Sequence, residues 1–114
     1  MGELQLEGDE LKKLVKLSRK KALPFAFSPD KGETPPMFCI HRRKKPEALG
    51  KALRKESGQN KIGFGTLALE GKTLNMTCAR VVAGMSKKLK KFLRSQKLPL
   101  NVVLLDLNGV EIDG

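Results

Sequence analysis

Residues 61–80 read KIGFGTLALEGKTLNMTCAR, and this stretch predicts a β-hairpin. Ile62–Leu69 has a β-strand pattern, Glu70-Gly71 supplies the turn, and Thr73–Arg80 forms the returning strand. In the returning strand, apolar residues alternate with polar ones. We expect one face, with Leu74, Met76 and Cys78, to be buried, while the other face carries Thr73, Asn75 and Thr77. Gly63 and Gly65 alternate with Ile62 and Phe64, a pattern that more often marks a close backbone approach or a bulge than a phosphate loop.

Three lysine-rich amphipathic helices are expected around this hairpin. The predicted helices cover Asp9–Lys21, Pro46–Glu56 and Ser86–Gln96, each with an apolar stripe on one face and basic residues on the other. Asp9 is a plausible N-cap of the first helix, and Pro46 suits the first position of the second. Ser57-Gly58 ends the second helix, and Leu98-Pro99 follows the third.

Four further strands complete the pattern. Phe25–Ser28 and Met37–Arg42 are separated by a loop dense in turn-forming residues, residues 29–36. Val102–Leu105 and Val110–Ile112 enclose Asn108-Gly109, the strongest hairpin-turn signal in the chain.

The elements form three consecutive helix–strand–strand units, which predicts an internal repeat. The expected fold class is α+β, with two layers and all helices on one face of a mainly antiparallel sheet. The other face would then carry small or polar residues open to solvent or to a partner: Ala26, Gly63, Gly65, Asn75 and Thr77. The alternative is a small barrel with external helices.

A chain of 114 residues is the size of one domain. We expect residues 1–8 to form a frayed acidic N-terminus and residues 9–114 to form a single α+β domain. The first ten residues carry four acids and no apolar run, which indicates no signal peptide, and no stretch has the length of a membrane span. We therefore predict a cytoplasmic protein. Cys39 and Cys78 are expected to be reduced core thiols, and a disulfide between them is the less favoured alternative.

Charge is the unusual property of the sequence. All 23 basic residues fall within residues 11–105, where only five acidic residues occur. The resulting excess of 18 positive charges should attract polyanions over several ångströms.

The basic residues of the helices and of one loop are the predicted polyanion-binding site. If the three helices lie side by side, their outer faces merge into one positive surface, which would bind nucleic acid through phosphates in a salt-dependent way. A solvated surface that only keeps the protein soluble is the competing interpretation. The candidate residues are Lys12, Lys13, Lys16, Arg19, Lys20, Arg42, Arg43, Lys44, Lys45, Lys51, Arg54, Lys55, Lys87, Lys88, Lys90, Lys91 and Arg94.

The run His41-Arg42-Arg43-Lys44-Lys45 stands between a strand and the second helix. It could hold a phosphate beside a helix N-terminus, where free N–H groups favour anions. It also resembles a basic localisation signal, and an exposed strand end is the plainer interpretation.

The sequence contains no recognisable set of catalytic or metal-binding residues. Cys39 and His41 share a strand face, and Cys78 could be a third ligand, but no fourth ligand and no Cys-x-x-Cys spacing is present. Side chains two apart on a strand stand ~6.5 Å apart, too far for a direct Cys–His hydrogen bond. We therefore predict no metal, no cofactor and no catalysis.

The aromatic residues argue against base stacking. All five aromatics are Phe, and all fall where core residues are expected. We predict a small binding module that engages nucleic acid or another polyanion with little sequence selectivity. The alternative is a protein-interaction module that binds an acidic partner, adds a strand at a sheet edge, or associates with itself.

Overall fold

The computed structural model describes Leu4 and residues 6–112. Its elements follow the predicted chain order, and they are α1 (Gly8–Leu17), β1 (Leu23–Ser28), β2 (Met37–Ile40), α2 (Pro46–Ser57), β3 (Gly63–Glu70), β4 (Thr73–Arg80), α3 (Met85–Ser95), β5 (Asn101–Leu105) and β6 (Glu111–Ile112). The predicted α+β class with a mostly antiparallel sheet is confirmed.

The first helix ends four residues earlier than predicted. The Ser18 hydroxyl donates to the carbonyl of Val15 (2.6 Å), and the N–H groups of Arg19 and Lys20 bond carbonyls three residues back. This tightened turn ends α1, as side-chain bonds of serine to nearby carbonyls often do. The Leu69 N–H donates to the Ser18 carbonyl (3.3 Å), so the end of α1 is fixed beside the end of β3.

The six strands form one open sheet in the order β2-β1-β3-β4-β5-β6. Neighbours are antiparallel except β4 and β5, which are parallel. Because β1 pairs antiparallel with both β2 and β3, the strands β2 and β3 run in the same direction. The alternative of a closed barrel is wrong, since β2 and β6 are edge strands.

The prediction that all helices lie on one face is also wrong. α1 and α3 cover one face of the sheet, here called the first face, where Leu14 and Leu89 pack with Phe25 and Phe27 in one cluster. α2 covers the opposite, second face, where Leu49 and Leu53 pack with Ala26 and Cys39 of the same strands.

The direction of the strands explains this placement. The connection β2–α2–β3 joins two strands that run in one direction, and the connection β4–α3–β5 joins two strands that run in the opposite direction. Both connections lead from the β2 edge of the sheet toward the β6 edge. Crossovers between parallel strands are right-handed almost without exception. If both connections are right-handed and their strands run in opposite directions, their helices must lie on opposite faces of the sheet. The three helix–strand–strand units are therefore not equivalent, and the predicted repeat is not confirmed.

The second face is covered only in part. α2 contacts β1 and β3, so Ala26 is buried beneath it. Asn75 and Thr77 of β4 are half-buried on the half without a helix, as expected for an open face. Gly63 and Gly65 were assigned to this face and lie on the first face instead, where Gly63 is adjacent to the Met85 side chain.

Half of the predicted frayed N-terminus, residues 1–3 and 5, lies outside the described residues. Of its members that the structure describes, Leu4 is buried in the cluster under α2 and Leu6 packs against the cluster of the first face. These two contacts lie on opposite faces of the sheet.

Gly65 stands at an irregularity of the hairpin that the sequence anticipated. The β3–β4 register shifts between Phe64 and Gly65, as in a β-bulge. A Cβ at Gly65 would overlap the Thr77 carbonyl oxygen and come within 2.9 Å of the Cys78 Cα, both backbone atoms. Only glycine fits there without moving a strand.

We predict that Gly65→Ala lowers the free energy of unfolding by about 1–3 kcal/mol, because the backbone of β4 has to shift. Gly63→Ala is the matched control: its Cβ meets the flexible Met85 side chain, with the Sδ at 2.7 Å, and should cost less. Urea denaturation of the two variants measures the difference. Equal losses would show that the contact with β4 is not the constraint.

Candidate polyanion-binding site

Four connecting segments meet at one end of the sheet. The α1–β1 connection precedes β1, and the β2–α2 connection follows β2 at the same end, where the His41 N–H donates to the Pro24 carbonyl (3.0 Å). The β3–β4 turn follows β3, and the α3–β5 connection precedes β5, where the Asn101 N–H donates to the Lys72 carbonyl (2.8 Å). The antiparallel pairing of β3 with both β1 and β4 brings these four segments together.

These connections, residues 18–22, 41–45, 71–72 and 96–100, are here called the basic end. They carry nine basic residues and no acidic one: Arg19, Lys20, Lys21, Arg42, Arg43, Lys44, Lys45, Lys72 and Lys97. The connections at the opposite end, residues 29–36, 58–62, 81–84 and 106–110, carry two bases and three acids. Among the connections, the positive charge is therefore concentrated at this end. Two of its segments reach other parts of the fold, since Lys45 also lines a cleft with Ala79 and Leu107, and Gln96 beside Lys97 accepts a hydrogen bond from the Gly8 N–H (3.1 Å).

The basic side chains are available to a ligand. Eight of the nine are exposed, and Lys44 is half-buried. His41 shapes the segment that carries four of them, because its Nδ1 accepts hydrogen bonds from the N–H groups of Arg43 and Lys44, each at 3.0 Å. A histidine that closes its own loop in this way holds the following basic residues in a defined turn.

A shallow groove of about 320 Å³ borders the basic end. It is lined by apolar residues of α1 and β2 together with His41, Arg42, Arg43 and Glu10. Glu10 is the acidic residue of that groove, and Glu47 in the first turn of α2 and Glu70 at the end of β3 also border the basic end. Glu70 accepts a hydrogen bond from the Asn75 amide (3.1 Å). These carboxylates limit the local excess of positive charge without removing it.

The predicted merging of three basic helix faces is wrong, because α2 lies on the second face. Six of the candidate residues belong to the basic end, namely Arg19, Lys20, Arg42, Arg43, Lys44 and Lys45. Lys12, Lys13 and Lys16 of α1 and Lys87, Lys88, Lys90, Lys91 and Arg94 of α3 lie on helices that cover the first face, and Lys51, Arg54 and Lys55 lie on α2. All of them are exposed except Lys12, which is half-buried.

Three residues of the basic end were missed by the sequence analysis: Lys21, Lys72 and Lys97. Lys72 lies in the β3–β4 turn, and Lys97 follows α3 with a positive φ of 61°. Neither stands on a helix face, and only the pairing of β1 with β3 brings them near the other bases. The available signal was the absence of acidic residues between Glu70 and Asp106.

Cys39, His41 and Cys78 do not form a joint site. Cys39 is buried in the cluster under α2 and Cys78 in the cluster of the first face, so the sheet separates two free thiols. Burial raises the pKa of Cys39 to about 12 and that of Cys78 to about 11. Within the described residues, no group of three potential ligands is arranged for a metal.

We predict that the two buried thiols make the protein less stable in alkali. The unfolded chain loses its thiol protons from about pH 9, whereas the folded chain keeps them to pH 11–12, so stability falls between these values. Urea denaturation at pH 8 and pH 10.5 should show a loss at least about 2 kcal/mol larger than in a Cys39→Ala, Cys78→Ala variant. An equal loss in both proteins would contradict burial of the thiols in their neutral form.

A second concave surface is a cleft on the second face, between α2 and the uncovered strands. It measures about 600 Å³ and is lined by Lys45, Pro46, Glu47, Ala48, Lys51, Ala79 and Leu107. Leu107 and Val110, in the β5–β6 connection, are 71% and 59% exposed. The cleft therefore combines apolar walls with Lys51 and Glu47 of α2 and with Lys45 of the basic end.

Comparisons with models of protein families, with curated proteins and with solved structures find no match to this chain. Among the helices of the described residues, none has the length and apolar character needed to cross a membrane. The arrangement of the chain's own residues is therefore the basis for assigning a function.

Proposed function

We propose that this protein is a non-catalytic module that binds nucleic acid through the basic end. The single observation that carries the proposal is the concentration of nine basic residues, without an acidic one, in the four connections at one end of the sheet. A surface of this kind attracts phosphates and releases the counterions that surround them, so its affinity should depend strongly on salt.

The side chains of the basic end favour contact with phosphates over reading of bases. Six of the nine are lysines, which act as compact point charges, while planar recognition of bases depends mainly on arginine, asparagine and glutamine. The basic residues also stand on short connections and not along one helix that could enter a groove. Weak sequence selectivity follows from both features.

Two further features support a binding role. The thiols with raised pKa values are buried in separate clusters, so neither is placed as a nucleophile at the basic end. Two reduced, unpaired cysteines also suit a cytoplasmic protein, because that compartment keeps thiols reduced.

The affinity for a 20-base-pair DNA duplex should fall when bases of the basic end are removed. The test variant is Lys20→Gln, Arg43→Gln, Lys72→Gln, and the matched control is Lys31→Gln, Lys55→Gln, Lys61→Gln, which removes the same charge from exposed positions at the other end. Fluorescence anisotropy at 50–200 mM salt should show at least a tenfold loss for the test variant only. The slope of log K against log salt should also shrink by about 2–3.

Equal losses in the two variants would show that net charge, and not the basic end, is responsible for binding. No binding by the wild-type protein at 50 mM salt, or an affinity independent of salt, would refute the proposed function itself.

The cleft between α2 and the uncovered strands supports a second candidate function, the binding of an acidic, amphipathic segment of another protein. The exposed Leu107 and the walls at Pro46 and Ala79 would contact its apolar side chains, while Lys45 and Lys51 complement its carboxylates. A net charge of +11 opposes association with a second copy of this chain and favours an acidic partner.

A labelled 16-residue peptide with leucines on one helical face and glutamates on the other is the probe for this cleft. We expect it to bind in 0.5 M salt, where phosphate contacts weaken, and Leu107→Ser to reduce its affinity at least fivefold. Val103→Thr, on half-buried β5 outside the cleft lining, is the control variant. Equal affinity for a scrambled peptide of the same composition would remove this candidate.

A further inference from the structure

We infer that the basic end selects double-stranded over single-stranded nucleic acid. This inference rests on the proposed function and names the ligand class of the same site. Three observations carry it: the placement of two basic segments relative to the sheet, the width of the basic end, and the burial of the aromatic residues.

The first observation concerns two segments that approach the end of the sheet from opposite faces. The α1–β1 segment, Arg19-Lys20-Lys21, follows a helix on the first face. The β2–α2 segment starts at the edge strand β2, where Arg42 and Arg43 line a groove beside α1, and ends with Lys44-Lys45 at a helix on the second face. A helix packs ~10 Å from a sheet, so bases on the two sides can stand on the order of 10–20 Å apart. That separation suits phosphates on two strands across a groove ~12 Å wide.

The second observation is the width of the basic end. Its connections extend from β2 to β5, five neighbouring strands at ~4.8 Å, which gives a width of about 20 Å. Lys72, in the β3–β4 turn, extends the charge toward β4, beyond the two basic segments. A duplex offers one charge per ~1.7 Å of axis, or about a dozen phosphates over this width. Because the basic end is broad in two directions, the two rows of phosphates of a duplex match it better than the single row of one strand.

The third observation is that no aromatic side chain is offered for stacking. Every aromatic residue is a phenylalanine; Phe25, Phe27, Phe38 and Phe92 are buried, and Phe64 packs against Gly50 of α2. Proteins that bind single strands gain affinity by stacking bases on exposed aromatics. Without this contribution, a single strand is held by phosphate contacts alone, and it presents only one row of them.

The test compares four probes of 20 nucleotides per strand: duplex DNA, duplex RNA, and the single DNA and RNA strands. We expect at least tenfold tighter binding of the duplexes at 100 mM salt. The slope of log K against log salt should be about −5 for a duplex, from some six phosphate contacts, and about −2 for a single strand. The DNA and RNA arms identify which duplex geometry the two segments fit better.

Two variants test the role of the two segments separately. Replacing Arg19, Lys20 and Lys21 by Gln, or Arg42, Arg43 and Lys45 by Gln, should each reduce duplex affinity to near that of the single strand, because either change leaves one row of contacts. In at least one of the two variants, the affinity for the single strand should fall no more than threefold. Circular dichroism and thermal unfolding confirm that both variants are folded.

The outcomes separate the two proposals. If no probe binds in a salt-dependent way, the proposed function fails. If single strands bind as tightly as duplexes, with equal slopes, nucleic-acid binding stands and the duplex selection is overturned. Equal reduction of both probe types by both variants also overturns it.

Discussion

The architecture depends on the position of β1 between β2 and β3. Because β1 pairs antiparallel with both neighbours, β2 and β3 run in the same direction, while β4 and β5 run in the opposite one. Two right-handed crossovers then place α2 and α3 on opposite faces. The strand that enforces this arrangement is itself almost entirely buried, with Phe25 and Phe27 on one face and Ala26 on the other.

The same pairing determines where the charge lies. Antiparallel pairing brings the start of β1, the end of β2 and the end of β3 to one end of the sheet, and the parallel pairing of β5 with β4 adds the start of β5. Residues that are up to 78 positions apart in sequence, from Arg19 to Lys97, therefore share one surface. Nine of the 23 basic residues stand in the connections at this end, and charges of both signs stand in those at the other, so the difference in charge between the two sets of connections follows from the topology.

The local elements could be predicted from the sequence, because hydrophobic periodicity and turn residues act over short distances. Such signals predict the hairpin of β3 and β4. They also predict the end of α2 at Gly58, which has a φ of 73°. The end of α1 was misplaced because the hydroxyl of Ser18 and its contact with β3 stop the helix before its basic pattern ends. The prediction of the helix faces is wrong because strand order is a long-range property, which local sequence patterns do not determine.

For the candidate site, composition predicted an anionic ligand but not the surface that would bind it. Arg42 and Lys45 were identified from a basic run, whereas Lys72 joins the site only through the pairing of β3 with β1. The lysines of α3 have the same sequence pattern as the other candidate bases. In the structure they stand on a helix that covers the first face, outside the basic end.

The central claim is that the four connections of the basic end act together as one nucleic-acid surface. Its most direct test is a ¹H–¹⁵N correlation spectrum titrated with a 12-base-pair DNA duplex. We expect shift changes in the amides of residues 18–22, 41–45, 71–72 and 96–100, with little change in residues 29–36 and 58–62. Changes confined to the outer face of α3, or spread evenly over both ends of the sheet, would contradict it.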